Sequence, residues 1–155
     1  MRKISLQVYD FANGLRIMAH FWLRIEELNR SIPIRAIVDT GSPITLIGTI
    51  DITKMRISSL KLKNLEGRNK PVNIGGGQIT TKIFEGTKLN FGGNFEINMP
   101  VNFPINGNNN PFQPSLLGID FLLKSNATLY FNASKKEAYL EIADEEKKII
   151  EESLK

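Results

Sequence analysis

The sequence contains no cysteine and a single histidine, His20, among its 155 residues. Without cysteine, disulfide bonds, thiolate nucleophiles, iron–sulfur clusters and cysteine-based zinc sites are excluded. A Ser-His-Asp triad or a histidine-rich metal site would have to be built on His20 alone, and no second ligand of suitable type lies near it in the sequence. Carboxylate chemistry remains open, and we expect neither a metal nor another cofactor.

Long apolar runs are also missing. None approaches the roughly 18 residues that a membrane-spanning helix needs. The basic start of the chain is followed by Gln7, Asp10 and Asn13, which interrupt the apolar region that a signal peptide requires. We therefore expect a cytoplasmic protein without membrane contact.

Hydrophobic residues make up 41% of the sequence and charged residues 23%, as is typical of a soluble globular protein of one domain. The net charge of +4 includes a basic stretch from Lys54 to Lys70. This stretch contains no aromatic residue that could stack on bases, so we interpret it as a solvated surface and expect no nucleic-acid partner. The alternative that it would favour is a nucleic-acid-binding β-barrel.

Short β-rich runs separated by turn residues dominate the sequence. Asn13-Gly14, the strongest short hairpin signal, separates the first two runs. The predicted strands cover residues 4–9, 15–25, 34–38, 79–84, 88–91, 95–101, 127–131 and 138–142. Many short strands at close spacing predict a mainly β fold, either a small barrel or a sandwich.

Three segments interrupt this β pattern and predict helices. The apolar positions of residues 51–63 are compatible with a short helix, and a second helix begins near Asp120, which we interpret as its N-cap. A third helix is predicted from Asp144 to Leu154, where Ile149, Ile150 and Leu154 lie roughly on one face.

The tetrapeptide Asp39-Thr40-Gly41-Ser42 carries the most specific chemical signal. It follows the apolar run 36–38 and precedes another at 44–47, and a carboxylate at the end of a buried strand is costly without a function. Peptide hydrolysis by a pair of carboxyl groups would supply such a function. Two close aspartates cannot both ionise, so they share a proton, and one activates water while the other polarises the peptide carbonyl. Gly41 allows a turn that brings backbone N–H groups close to the carboxylate. Taken alone, the motif fits an ordinary turn equally well.

Two further motifs follow in order, Gly75-Gly76-Gly77 and Leu116-Leu117-Gly118-Ile119-Asp120. Together with Asp39-Thr40-Gly41, they resemble the retropepsin-like aspartic proteases, nearest to the cellular and retrotransposon members that include the DNA-damage-inducible ubiquitin-shuttle proteases. The resemblance runs from about Phe21 to Ile142. It implies a mainly β, retropepsin-like closed barrel with a short helix after Leu116-Leu117-Gly118 and a C-terminal helix. Residues 1–155 would be a single protease domain, with 1–20 as N-terminal extension strands and 143–155 as a C-terminal helical tail.

The resemblance also implies a role for each motif. Asp39 would be the catalytic aspartate, Thr40 would hydrogen-bond the partner's active-site loop, and Gly41 would contact the substrate backbone. A chain with one Asp-Thr-Gly, too short for two lobes, would have to act as a homodimer. A flap that closes over bound peptide would contain Gly75, Gly76, Gly77 and Gln78, and a strand beneath the catalytic loop would contain Leu116, Leu117 and Gly118.

Ser42 supports a further prediction, because its hydroxyl can donate to the outer oxygen of Asp39 and so favour the charged carboxylate. This predicts an activity optimum on the acid side of neutral. The remaining predictions concern structure: Phe21 and Trp22, in a β-rich run, are core or substrate-wall residues, with the core favoured, His20 lies on the surface, and Asp10 and Asp51 are solvated.

These observations predict an aspartic endopeptidase that hydrolyses peptides or unfolded proteins as a homodimer. The alternative is a non-catalytic dimeric module of the same fold that binds a peptide or protein without cleaving it.

Overall fold

The computed structural model describes residues 2–11, 14–56, 68–74, 77–93, 95–104 and 112–143. The strands are β1 (Arg2–Phe11), β2 (Gly14–Ile25), β3 (Arg30–Val38), β4 (Arg68–Ile74), β5 (Gly77–Phe84), β6 (Thr87–Gly92), β7 (Phe95–Asn98), β8 (Val101–Pro104), β9 (Ser115–Leu117), β10 (Ala127–Asn132) and β11 (Glu137–Ile142). The helices are a 3-10 turn at Glu26–Leu28, α1 (Thr49–Met55) and α2 (Ile119–Ser125). The mainly β prediction is confirmed.

The strands form two sheets. The larger sheet has eight strands in the order β10-β11-β1-β2-β3-β9, with β6 paired to β2 and β7 paired to β6. The smaller sheet has the order β4-β5-β8. All pairings are antiparallel except that of β3 with β9, which is parallel. β3 and β9 therefore deliver their carboxyl ends to the same edge.

Leu46 lies between the two sheets and forms a bridge to each. It forms one bridge to Asn102 of β8 and another to Leu116 of β9. Since the described strands meet there through isolated bridges and not through a continuous ladder, the two sheets do not close into a barrel. Leu46 is completely buried, so the connection lies in the interior.

Aromatic rings fill the space between the sheets and α2. Phe91 contacts Phe21 and Phe121 with ring centroids 5.1 Å apart in each case, and Phe84 meets Phe103 edge-on at 4.9 Å. Four of these five rings are buried, and Phe91 is half-buried. Such pairs add specific geometry to the burial of apolar area. They anchor α2 against β2 and β6.

The alternation of side chains along β2 corrects one prediction about the core. Phe21 is buried as predicted, but Trp22 is 54% exposed. Successive residues of a strand point to opposite faces of the sheet. His20, Trp22 and Arg24 therefore share the outer face, while Phe21 and Leu23 point to the core. His20 is exposed, as predicted.

The predicted strand 95–101 is divided in the structure. β7 ends at Asn98 and β8 begins at Val101, with Met99 and Pro100 between them. Pro100 has no N–H for a ladder, and the Met99 N–H donates to the Thr87 carbonyl at 3.2 Å. The chain changes sheet at this point.

The predicted helix near Asp120 is confirmed, but its N-cap is Gly118 and not Asp120. Asp120 lies in the first turn. The helix predicted within 51–63 is present as α1, which begins two residues earlier, at Thr49. The predicted tail helix, 144–154, lies outside the described residues. Neither described α-helix is long and apolar enough to cross a membrane.

Candidate active site

Asp39 directly follows β3. The last residue of β3, Val38, pairs with Leu117 of β9, and the Asp39 N–H extends this pairing by donating to the Leu117 carbonyl at 3.0 Å. Asp39 is half-buried. Because the Asp39 backbone is hydrogen-bonded to the buried strand β9, the position of Asp39 at the end of β3 is defined.

The turn after Asp39 orients its side chain. The Gly41 N–H donates to Asp39 Oδ1 at 2.9 Å, and the Ser42 N–H donates to the Asp39 carbonyl at 3.1 Å. A Cβ at Gly41 would lie only 3.2 Å from Oδ1, so glycine allows this close approach. Among the described residues, no donor contacts the other oxygen, Oδ2. Thr40 and Gly41 are exposed.

Ser42 does not make the predicted bond to Asp39. Its hydroxyl donates to the Ile44 carbonyl at 2.7 Å, and the residue is buried. A serine hydroxyl has one proton to donate, so the interaction that suggested an acidic optimum is absent. Ser42 instead closes the next turn of the loop.

The segment Leu116-Leu117-Gly118 lies between β3 and residues 45–47. Leu116 and Leu46 exchange backbone hydrogen bonds of 2.8 and 2.9 Å. A Cβ at Gly118 would lie 2.3 Å from the Ile44 carbonyl oxygen and 2.8 Å from that of Ser42. The chain therefore passes directly beneath the loop that begins at Asp39, and only glycine fits there.

Thr45 and Asp120 form a contact that the sequence did not reveal. The Thr45 N–H donates to Asp120 Oδ2 at 2.9 Å, and the Thr45 hydroxyl donates to Oδ1 at 2.7 Å. The same hydroxyl accepts the Gly118 N–H at 3.2 Å. Asp120 thus ties the first turn of α2 to the loop that carries Asp39. No spacing in the sequence indicates this pairing.

Asp51 was predicted to be solvated, but it is only 2% exposed. The Ser115 hydroxyl donates to its Oδ2 at 2.6 Å and accepts the Gly48 N–H at 2.8 Å. Lys54 Nζ lies 3.5 Å from Oδ1. A buried carboxylate needs such partners, and here they attach α1 to β9. Asp10 is exposed, as predicted, and pairs with Lys136.

Two cavities adjoin at this edge of the sheet. The first, about 430 Å³, contains Asp39 together with Arg16, Ile37, Pro114 and Phe131, and we call it the Asp39 cavity. The second, about 660 Å³, is lined by ten residues and is called the arginine cavity: Tyr9, Asp10, Arg16, Met18, Arg35, Ile37, Ile50, Asp51, Lys54 and Pro114. Both cavities include Arg16, Ile37 and Pro114.

Arg16 was not identified from the sequence as a residue near Asp39. The pairing register of β2 and β3 explains why it lies there. β2 and β3 pair antiparallel with Met18 opposite Ile37. Extending this register by two residues would bring Arg16 opposite Asp39, and both residues line the Asp39 cavity. The hairpin prediction alone could not reveal this relationship, because it required the pairing partners of both strands.

The predicted flap residues are described in part. Gly77 and Gln78 begin β5, which pairs with β4 through Ile74↔Gly77 and Asn73↔Gln78. Gly75 and Gly76, the connection between these strands, lie outside the described residues. The glycine-rich segment thus joins two antiparallel strands.

Within the described ranges, no group of three or more histidine, aspartate or glutamate side chains is placed to hold a metal ion. In the basic stretch from Lys54 to Lys70, the basic side chains that the structure describes are those of Lys54, which pairs with Asp51, and Arg56, which is exposed. The remaining basic side chains of this stretch lie outside the described part.

A family model described as aspartyl protease matches residues 24–121, a range that contains both Asp39 and Gly118. The fold is similar to that of a retropepsin-like aspartic protease from Rickettsia conorii, with a TM-score of 0.50, 15% identity and 90% of each chain covered. EIAV protease complexed with the inhibitor HBY-793 gives a TM-score of 0.49 at 13% identity, covering 79% of this chain and 100% of that one. A comparison with curated protein sequences gave no significant match.

Proposed function

This chain belongs to the aspartyl protease family and has a retropepsin-like fold, and on that premise we propose that it is an aspartic endopeptidase active as a homodimer. The observation that carries the proposal is the position of Asp39. Its carboxyl group lies in a cavity, one oxygen is held by the turn, and the other has no donor among the described residues. It is therefore available to water and substrate.

The other described aspartates are already engaged. Asp51 is buried against Ser115 and Lys54, Asp120 accepts two bonds from Thr45, and Asp10 pairs with Lys136. Elimination among the described aspartates therefore favours Asp39 as the reactive carboxyl group.

Hydrolysis through a carboxyl pair requires a second aspartate beside the first. The sequence contains one Asp-Thr-Gly, so a second copy of the chain would supply the partner carboxyl group. The exposed Thr40 and Gly41 support this arrangement, because they leave the Asp39 loop open to another molecule. Thr40 would hydrogen-bond the partner's loop across the two-fold axis.

In the proposed reaction, the two Asp39 carboxyl groups share one proton because close like charges cannot both ionise. The ionised group removes a proton from water, and the resulting hydroxide oxygen adds to the peptide carbonyl carbon. The protonated group donates to the carbonyl oxygen, and a proton then passes to the leaving nitrogen as the C–N bond breaks. No covalent intermediate with the protein is formed.

The remaining parts of the proposal concern the surrounding chain. Gly41 would contact the substrate backbone, and the hairpin that contains Gly75, Gly76, Gly77 and Gln78 would close over the bound peptide. Leu116, Leu117 and Gly118 would support the loop from below. We take residues 1–155 as a single domain, because β1 pairs with both β2 and β11 of the main sheet.

The test compares the parent protein with Asp39→Asn on an unfolded protein substrate between pH 3 and pH 7. Asp39→Asn should abolish cleavage, whereas Glu27→Gln, the same carboxylate-to-amide change at an exposed residue that lines neither cavity, should preserve it. Equal cleavage by the parent and by Asp39→Asn would refute the proposal that Asp39 is catalytic. Binding of the substrate without cleavage by the parent would favour the non-catalytic binding module.

Mixing the parent with Asp39→Asn tests the dimer directly. If activity needs one Asp39 from each of two chains, an equal mixture that has exchanged subunits should have about one quarter of the activity of the parent protein at the same total concentration. An enzyme active as a monomer would retain about half. Sedimentation at the assay concentration provides the independent measurement, and an active species that sediments as a monomer would contradict the dimer.

A further inference from the structure

We propose that the arginine cavity is a substrate subsite that binds an acidic side chain close to the cleaved peptide bond. The inference rests on the proposed function and specifies its substrate class. It is carried by the position of the cavity, by the surplus of positive charge in it, and by its apolar floor.

The arginine cavity lies next to Asp39, because three residues line both it and the Asp39 cavity. Arg16, Ile37 and Pro114 border both the arginine cavity and the Asp39 cavity. Ile37 precedes Asp39 by two residues, which corresponds to roughly 7 Å along a strand. A peptide whose scissile bond lies at Asp39 would therefore place a nearby side chain in the arginine cavity.

The charges of the cavity do not cancel. Asp10 pairs with Lys136, and Asp51 pairs with Lys54 and accepts the Ser115 hydroxyl, so both carboxylates already have partners. The charges of Arg16 and Arg35 in the cavity are therefore not balanced by these carboxylates. Among the described residues, no carboxylate lies within ion-pair distance of either guanidinium group.

Tyr9 brings the two arginines to the same part of the cavity. Arg16 is its register partner on β2, and the Arg35 guanidinium carbon lies 4.5 Å from the centre of the Tyr9 ring. The contact with the ring restrains the Arg35 side chain through a cation–π interaction. A guanidinium group restrained in this way presents N–H donors in a fork that matches a carboxylate.

The floor of the cavity is apolar. Met18 and Ile37 are opposite one another on β2 and β3, and Met18 is buried. The methylene groups of a substrate side chain would pack on these residues while its carboxylate meets the arginines at the rim. Glutamate fits this combination of an apolar floor and a cationic rim.

The experiment uses three peptides of one sequence that carry Glu, Gln or Lys at a single position, moved in turn through the three positions on each side of the cleaved bond. At pH 6, the parent should cleave the best Glu peptide with a kcat/KM at least about tenfold above that of the matched Gln peptide. The ratio isolates the side-chain charge, because both peptides undergo the same reaction.

Substitution of the arginines should remove this preference. In the double variant Arg16→Gln and Arg35→Gln, the Glu-to-Gln ratio should fall to near one, and Arg16→Glu should favour the Lys peptide. Arg24→Gln is the matched control, since Arg24 lies on the same strand roughly 26 Å from Arg16 and its loss should leave the ratio unchanged. In the parent, the ratio should also fall below about pH 4, where the substrate glutamate becomes protonated.

Failure of this inference can be separated from failure of the proposed function. A parent enzyme that cleaves Glu and Gln peptides equally at every position, or a ratio that survives in the double variant, would overturn the subsite while leaving the protease intact. If no peptide is cleaved, the subsite is tested separately by measuring the binding of the same peptides to Asp39→Asn with fluorescence anisotropy. Tighter binding of the Glu peptide supports the subsite, and equal or absent binding refutes it.

Discussion

Thr45 and Asp120, 75 positions apart in the sequence, are joined by two hydrogen bonds of 2.7 and 2.9 Å. The first comes from the Thr45 hydroxyl, which also accepts the Gly118 N–H, and the second comes from the Thr45 backbone. The loop that carries Asp39 is therefore fastened to α2 through the Asp120 side chain, in addition to the backbone bond from the Ile119 N–H to the Ser42 carbonyl. These contacts of the loop come from residues outside the Asp-Thr-Gly motif.

Thr45→Val tests this connection, because valine keeps the shape of threonine and removes the hydroxyl. Asp120 Oδ1 loses the hydroxyl that donates to it and the buried Gly118 N–H loses its acceptor, so the free energy of unfolding should fall by about 1–3 kcal/mol. Urea unfolding at a fixed protein concentration measures the change. Thr53→Val is the control, since that exposed hydroxyl donates only to the carbonyl one helical turn earlier. Equal losses in both variants would contradict a special role for Thr45.

Gly118→Ala should be much more damaging than a typical glycine substitution. The new Cβ would lie 2.3 Å from the Ile44 carbonyl oxygen, and backbone atoms would have to move. We expect a loss of at least about 3 kcal/mol, or failure to fold, as judged by soluble yield and circular dichroism. Gly86→Ala is matched to it, because there the nearest atom would be 3.7 Å away. A Gly118→Ala protein as stable as Gly86→Ala would show that the loop and β9 are not in close contact.

Asp51→Ala and Asp10→Ala should differ strongly in stability. The first change leaves the buried Ser115 hydroxyl without the carboxylate that accepts its proton, which should lower the free energy of unfolding by about 1–3 kcal/mol. The second removes an exposed ion pair with Lys136, which should change it by less than about 1 kcal/mol. Chemical unfolding of both variants provides the comparison. Equal effects would contradict the burial of Asp51.

His20 provides a test by pH. Although the His20 residue is largely exposed, partial burial of its ring first, and the positive charge of Arg35 second, lower the pKa of His20 below its ordinary value of 6.5. Arg35→Gln should therefore raise the pKa of His20 towards 6.5, and Arg24→Gln should not change it. Since the sequence has one histidine, an NMR titration of the imidazole resonances reports this group alone. An unchanged pKa in Arg35→Gln would show that the charge does not act on the ring.

The sign of the effect on stability follows from the same shift. Because the pKa of His20 is lower in the folded chain than in the unfolded chain, the unfolded chain binds the proton more readily. The His20 contribution to stability is complete above pH 6.5 and decreases as the pH falls below that value. His20→Gln should remove this part of the pH dependence of unfolding.

Much of the fold was predictable because it depends on local patterns. Alternating apolar residues and the Asn13-Gly14 turn predicted β1, β2 and their hairpin, and the Leu116-Leu117-Gly118 run was correctly followed by a helix. Errors arose where partners distant in sequence decide the environment. Trp22 was predicted to be in the core from its place in a β-rich run, but the alternation of side chains along β2 puts it on the outer face.

The sequence by itself determined that carboxylate chemistry is the available route and that Asp39 follows a β-rich run, because these conclusions need only residue types and their order. Tertiary structure alone decided what surrounds Asp39. It directed the Ser42 hydroxyl to Ile44, buried Asp51 against Ser115, joined Thr45 to Asp120 and brought Arg16 to the Asp39 cavity. The physical reason is that a polar side chain bonds to whichever partner packing places within about 3 Å, and most of these partners come from other elements of the chain.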